Sequence, residues 1–234
     1  MSTPRLPERL RQEVLTDLQP VRPLPRPALR AMEIAIWALA LFLLVPRLHP
    51  LREDAAALGP WLLWGVAIGE AVAGLLLAGL ALREAVPGGG LARARVGLAL
   101  ALGATTQLAA SLLTWTLAPA TTSAEMARHR GAVCFSIQEL LAIPGLALAF
   151  WLVQRALPVR PRWSGALAGL AAGLLADAAW HLICPRSDLP HVLIWHGGAT
   201  LLTTTLGWLL GTLYEVRAVR RLAAAITATE RLSA

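Results

Sequence analysis

The chain has 234 residues, 56% of them hydrophobic and 15% charged, with a mean hydropathy of +0.60. A soluble domain of this length rarely carries so much apolar surface, so the composition excludes an ordinary water-soluble globule and points to an integral membrane protein. The formal charge of +7 comes from 21 basic residues, every one an arginine, and their positions decide between a nucleic-acid patch and a topology signal.

The first stretch is mostly polar for nearly thirty residues, whereas a signal peptide would turn at once into an apolar run. Within it, residues 6–18 read LPERLRQEVLTDL, with Leu6, Leu10, Val14 and Leu18 four apart and Leu15 beside them. Arg9, Arg11, Gln12, Glu13 and Asp17 take the other faces. This spacing predicts an amphipathic helix of about three turns, too short to be stable alone in water. It needs a surface to lie against, either the bilayer or a protein groove that accepts leucines at helical spacing, and its mixed charge argues against an anionic lipid surface. Pro20, Pro23, Pro25 and Pro27 then stop the helix and favour an extended spacer.

A helix needs roughly 20 apolar residues to cross a hydrocarbon core about 30 Å thick. Six stretches qualify, at about 29–46, 61–82, 96–117, 131–153, 163–184 and 191–214. The expected fold is therefore an all-α integral membrane protein, a six-transmembrane-helix bundle over 29–216. A cytoplasmic docking segment over 1–28 precedes it and a cytoplasmic tail over 217–234 follows. Six crossings put both termini on one side. The first tail, the second and fourth loops and the last tail hold sixteen arginines; the other loops hold only Arg47, Arg52, Arg128, Arg130 and Arg186. The positive-inside rule makes both tails cytoplasmic, so the charge is topological and no direct nucleic-acid contact is expected. Trp61, Trp64, Trp115, Trp180 and Trp195 fall near the predicted outer boundary, where interfacial aromatics belong.

Inside the spans, small residues mark packing faces. Gly165, Gly169 and Gly173 stand four apart in the fifth stretch, and the same spacing continues to Asp177 and His181. Gly207 and Gly211 give the sixth a weaker version beside the hydroxyls of Thr203, Thr204 and Thr205. Glu70, Gln107, Gln138, Glu139 and Asp177 are costly in lipid, and each reads as a helix-locking hydrogen bond or as part of an ion path. The paired helix breaks of a pump are missing, Pro144 being the only mid-span proline, which favours the locking role. With no phosphate loop, nucleophile elbow or zincin motif, no enzyme activity is expected.

Cys134, early in the fourth stretch, and Cys184, at the end of the fifth, lie at similar depth on the outer side of antiparallel neighbours. In an oxidising compartment such thiols form a disulfide when their Cα atoms come within about 7 Å; otherwise they are two buried apolar packers. A metal site held by His181, Cys184 and His196, with His191 and Cys134 nearby, is the rival reading. Against it, the spacing matches no compact ligand motif, and His191 and His196 lie about 140° apart on an α-helix. No resident cofactor is expected, although the thiols are open to transient heavy-metal binding.

Three segments carry a family resemblance: DLQPVRPLPRPALRA before the first span, GAVCFSIQELLAIPGLALAFWLVQRALPVRPRWSGALAGLAAG across the fourth and fifth, and CPRSDLPHVLIWHGGATLL into the sixth. With them the chain resembles the NrsF family of bacterial membrane anti-sigma factors over nearly its whole length. The most specific features are the DLxPVRxLP tail, the cysteine early in span four and the CPxxxxxHxLxWH block. The resemblance implies an inner-membrane protein whose cytoplasmic N-terminal segment holds an extracytoplasmic-function sigma factor inactive and releases it on external stress. It assigns docking to Leu10, Val14, Leu15, Asp17, Leu18, Pro20, Val21 and Arg22, and sensing of oxidants or heavy metals to Cys134 and Cys184. The alternative is a small ion-coupled transporter using Glu70, Asp177 and His181, or a metal-binding membrane protein. Neither the choice of sigma factor nor the oligomeric state is legible in the residues.

Overall fold

A computed structural model describes residues 12, 16, 24–117 and 124–233. The docking residues Leu10, Val14, Leu15, Asp17, Leu18, Pro20, Val21 and Arg22 lie outside these described residues. Every regular element among the described residues is helical. In chain order these are α1 (Pro27–Leu48), α2 (Ala55–Pro60), a π-helical stretch (Trp61–Gly65), α3 (Val66–Glu84), α4 (Arg93–Leu117), α5 (Ala124–Gln154), α6 (Pro161–His181), α7 (Leu189–His191), a second π-helical stretch (Val192–Gly197) and α8 (Gly198–Ser233).

Helix covers most of each of the six expected stretches, the fifth ending at His181, and the second and sixth differ from expectation in ways the chain explains. The second begins early, at Ala55, and is interrupted where Gly59 takes φ +70° ahead of Pro60, a backbone state that only glycine adopts freely. The sixth does not stop near 214, because no proline or glycine follows Gly211 and α8 runs on to Ser233. Among the described residues, four helical segments are long and apolar enough to cross a membrane: Pro27–Leu48, Ala55–Glu84, Arg93–Leu117 and Gly131–Gln154, with mean hydropathies of 2.1, 2.0, 1.6 and 1.8. Their outward faces carry exposed Ile36, Leu76, Leu102 and Leu140, a surface that suits lipid and not water.

The remaining long helices, α6 and α8, are less apolar, and burial explains the composition of α6. Every residue from Ser164 to Trp180 is buried, so α6 presents no face to the surroundings and is enclosed by α3, α5, α8 and, more lightly, α1 and α4. Such a helix gains nothing from leucine on all sides and is built from Ala and Gly, which let its neighbours approach. Gly165 lies against the backbones of Gly207 and Gly211, Gly169 against Thr203 and Thr204, and Gly173 against Thr200, so α6 and α8 run antiparallel along one seam. The i+4 stripe does not stay on this seam. Each step turns the helix by about 40°, so His181 stands about 160° from Gly165 and reaches another partner, donating from Nε2 to the Leu62 carbonyl at 3.2 Å.

The end of the bundle that carries the first residues of α1 is closed by charge. Arg30, 1% exposed, donates from Nη1 to the Leu152 carbonyl at 2.9 Å and from Nη2 to the Leu82 carbonyl at 3.4 Å. Both carbonyls belong to the last turns of α5 and α3, which have no intrahelical donor. Nearby, Arg160 pairs with buried Glu84 at 2.6 Å, and Glu84 also accepts from the Leu91 backbone N–H at 2.6 Å.

Three substitutions test this packing. Gly169→Leu would drive a side chain into the Thr203 carbonyl and to 2.8 Å or closer to the Thr204 Cα, and is expected to destabilise the detergent-solubilised protein by roughly 1–3 kcal/mol or more. Gly97→Ala, with nothing within 4 Å of the added methyl, should leave the thermal unfolding midpoint unchanged or slightly higher. Arg30→Met orphans two carbonyl caps and should cost about 1.5–3 kcal/mol by the same measurement.

Candidate functional site: a buried thiol and imidazole cluster

At the opposite end of the bundle, Cys134 on α5 and Cys184 just beyond α6 approach to 3.6 Å between sulfurs, both as free thiols. Their backbones are set by helix geometry. Cys134 faces inward on the first turns of α5, and Cys184 closes the end of α6 by donating its N–H to the Trp180 carbonyl at 2.9 Å. Around them lies an apolar shell of Leu41, Val45, Leu63, Ala179, Leu182 and Ile183, which leaves the sulfurs 7% and 2% exposed as residues. The depth match expected from two antiparallel spans is therefore realised as direct contact.

Two imidazoles complete the group. His191 places Nε2 3.5 Å from the Cys184 sulfur, and its ring centroid lies 5.3 Å from that of His196. One ligand-type atom from each of Cys134, Cys184, His191 and His196 falls within 4.8 Å of the others, and all four residues are buried. On an α-helix, positions 191 and 196 would point about 140° apart. The chain avoids that by winding residues 192–197 as a π-helix, whose i→i+5 hydrogen bonds return residues five apart to one side. Asp188 caps the start of this segment, accepting the His191 N–H at 3.1 Å, while Arg186 pairs with the same carboxylate at 3.1 Å.

Behind His196 stands a chain of buried polar groups. Its Nδ1 meets Asp177 Oδ1 at 2.6 Å, and the other Asp177 oxygen accepts from the Gln107 amide. Gln107 in turn accepts from the Thr200 hydroxyl at 3.1 Å, and Gln138 donates to both Thr200 Oγ1 and the His196 carbonyl at 3.1 Å. Glu139 accepts from Thr203 at 3.1 Å. Each bond ties together different helices, so Gln107, Gln138, Glu139 and Asp177 cross-link the bundle, although Gln138 Oε1, Glu139 Oε2 and His196 Nε2 are left without a hydrogen-bond partner. Glu70 joins Asp177, His181, Cys184, His196, Arg52 and Arg186 around a small polar cavity of about 10 Å³. Arg52 is itself held, by Asp54 at 2.5 Å and Ser187 at 2.7 Å.

Of the residues singled out in the sequence, Cys134, Cys184 and His196 meet in one place and Asp177 stands directly behind them. His181 does not join the ligand group; its Nε2 is engaged by the Leu62 carbonyl, and His191 takes its place. The signal that pointed to His191 was its position in the CPxxxxxHxLxWH block, which holds Cys184, His191 and His196 together. In the sequence Arg30 is one of the arginines that precede the first apolar run, and its carbonyl-capping role is visible only where the ends of α3 and α5 converge on it.

Comparison with known proteins identifies the family. The family model described as NrsF, negative regulator of sigma F, matches residues 15–214, a stretch that includes every member of the cluster and Arg30. The chain is also 32% identical over 78 residues to the probable anti-sigma-F factor NrsF of Azospira oryzae. That match covers 33% of this chain and 37% of the relative, so the chain spans about a third of the length of the curated relative it matches. No solved structure matches. With a family match over most of its length, the chain belongs to the NrsF family, described as negative regulators of sigma F.

Proposed function

We propose that this protein is a six-span anti-sigma factor of the bacterial inner membrane. Its cytoplasmic N-terminal segment sequesters an extracytoplasmic-function sigma factor, and a change at Cys134 and Cys184 on the outer side releases it. The observation that carries the sensing part is the 3.6 Å contact between two buried thiols within a family-matched chain. A two-electron oxidant, such as a hypohalous acid or a diazenedicarboxamide, joins the sulfurs with loss of two protons. The sulfurs are oxidised and the oxidant takes up the electron pair.

The helices suggest how that change reaches the tail. A disulfide is about 2.05 Å long, so closing the gap draws the sulfurs roughly 1.5 Å together. Cys134 and Leu152 ride on the same helix, α5, eighteen residues and about 27 Å apart. Leu152 is where Arg30, at the root of the N-terminal segment, is bound. A shift or tilt of α5 therefore changes the seating of Arg30 and, through the stiff proline spacer, the presentation of the docking residues. Two arrangements that differ in α5 supply the differential stabilisation that any such switch needs.

Removing residues 1–28 should abolish silencing of the co-encoded sigma factor in a reporter strain while the membrane part still accumulates; undiminished silencing would sink the docking claim. Cys134→Ser combined with Cys184→Ser should leave silencing intact and lose the response to diamide or cadmium. A double variant that responds normally would remove the thiols from sensing.

A further inference from the structure

Four groups meet around Cys184, and the sensor reading uses only the two sulfurs. We propose that Cys134, Cys184, His191 and His196 form a resting-state tetrahedral site for a borderline-soft divalent cation, zinc first, with Asp177 as the positioning residue behind His196. This deepens the sensor reading by giving the thiols a resting partner, yet it rests on its own geometry.

The distances carry it. A tetrahedral zinc with Zn–S of about 2.3 Å has sulfur–sulfur edges of about 3.8 Å, and with Zn–N of about 2.0–2.1 Å it has sulfur–nitrogen edges of about 3.5 Å. The chain holds Cys134 and Cys184 sulfurs 3.6 Å apart and Cys184 sulfur 3.5 Å from His191 Nε2. Thiol hydrogen bonds at these lengths would account for those two contacts alone. They leave His196 Nε2, in a residue 4% exposed, with no close hydrogen bond and only the Cys134 thiol near it, and a poorly satisfied nitrogen in such a place is costly. A cation at the centre of the group satisfies it.

The support around His196 has the form that metal-bound histidines take. One ring nitrogen is held by a carboxylate, Asp177 at 2.6 Å, which is itself fixed by Gln107, so the other nitrogen is oriented toward the sulfurs. Two thiolates neutralise the charge of a divalent ion, which lowers the cost of burying it beside the apolar residues that flank the sulfurs. The π-helical stretch is then the device that turns two histidines from opposite sides of a helix into a chelating pair. Joining the sulfurs by oxidation would remove two of the four ligands and expel the ion.

The test uses the full chain, solubilised in detergent and purified under reducing conditions without chelator. Elemental analysis should find about one zinc per chain. After removal by a chelator, Co²⁺ should bind at one equivalent, with intense tetrahedral d–d bands and thiolate-to-metal charge transfer. His191→Gln and His196→Gln should each change that spectrum and weaken Co²⁺ binding at least tenfold, while His181→Gln, outside the ligand set, leaves it intact. Should a histidine variant fail to fold, Asp177→Asn keeps all four ligands and is expected to weaken Co²⁺ binding 10–100-fold with the thiolate bands retained. Metal well below one equivalent after loading, an octahedral spectrum, or affinity unchanged in Asp177→Asn overturns the proposal. None of these readouts involves the sigma factor, so a failed metal site and a failed anti-sigma reading are distinguishable.

Discussion

Between Gly165 and Gly207 the backbones of α6 and α8 touch with no side chain between them, and the positions of the other functional groups follow from that contact. Close approach along the seam brings Thr200 and His196, at and before the start of α8, over Gly173 and Asp177 of α6. It also leaves α6 enclosed, with Cys184 at its end pressed toward Cys134 on α5. A helix pair held apart by leucines would sit further out, the difference between a backbone contact and an ordinary 8–10 Å helix separation. The Asp177 carboxylate would then miss His196, and a carboxylate without that partner is hard to keep inside an apolar bundle.

Much of this was legible in the chain because the relevant rules are local. Apolar length marked the six helices, and i+4 glycines marked the α6 seam. The antiparallel order of neighbouring helices placed Cys134 and Cys184 at one depth. Three features were not legible. His191 joins the cluster through π-helical winding, which no apolar period betrays. His181 leaves the stripe because each four-residue step drifts around the helix, an effect small over one step and large over four. Arg30 looks like any inside-positive charge until the ends of α3 and α5 are seen to converge on it.

The two ends of the bundle thus have different chemistry. One gathers soft ligands in a dry shell, and the other gathers arginines on helix C-termini and on Glu84. Rigid helices of about 30 Å connect them. α5 touches both through its own residues, Cys134 at one end and the Leu152 carbonyl at the other. The coupling we propose would therefore have a short mechanical route that does not require the whole bundle to rearrange. Its Pro144 and Gly145 lie between these points, with Gly145 packed against the Trp37 ring of α1, so movement of α5 is also felt by the helix that bears Arg30.

The central claim is that the state of the two thiols and the grip on the sigma factor are coupled. It is tested most directly by measuring the affinity of the purified sigma factor for the full chain in lipid nanodiscs, once with Cys134 and Cys184 as thiols and once as their disulfide. Coupling through α5 predicts at least a tenfold weaker affinity in the disulfide form, a coupling free energy of about 1.4 kcal/mol. Equal affinities in the two states would contradict the account.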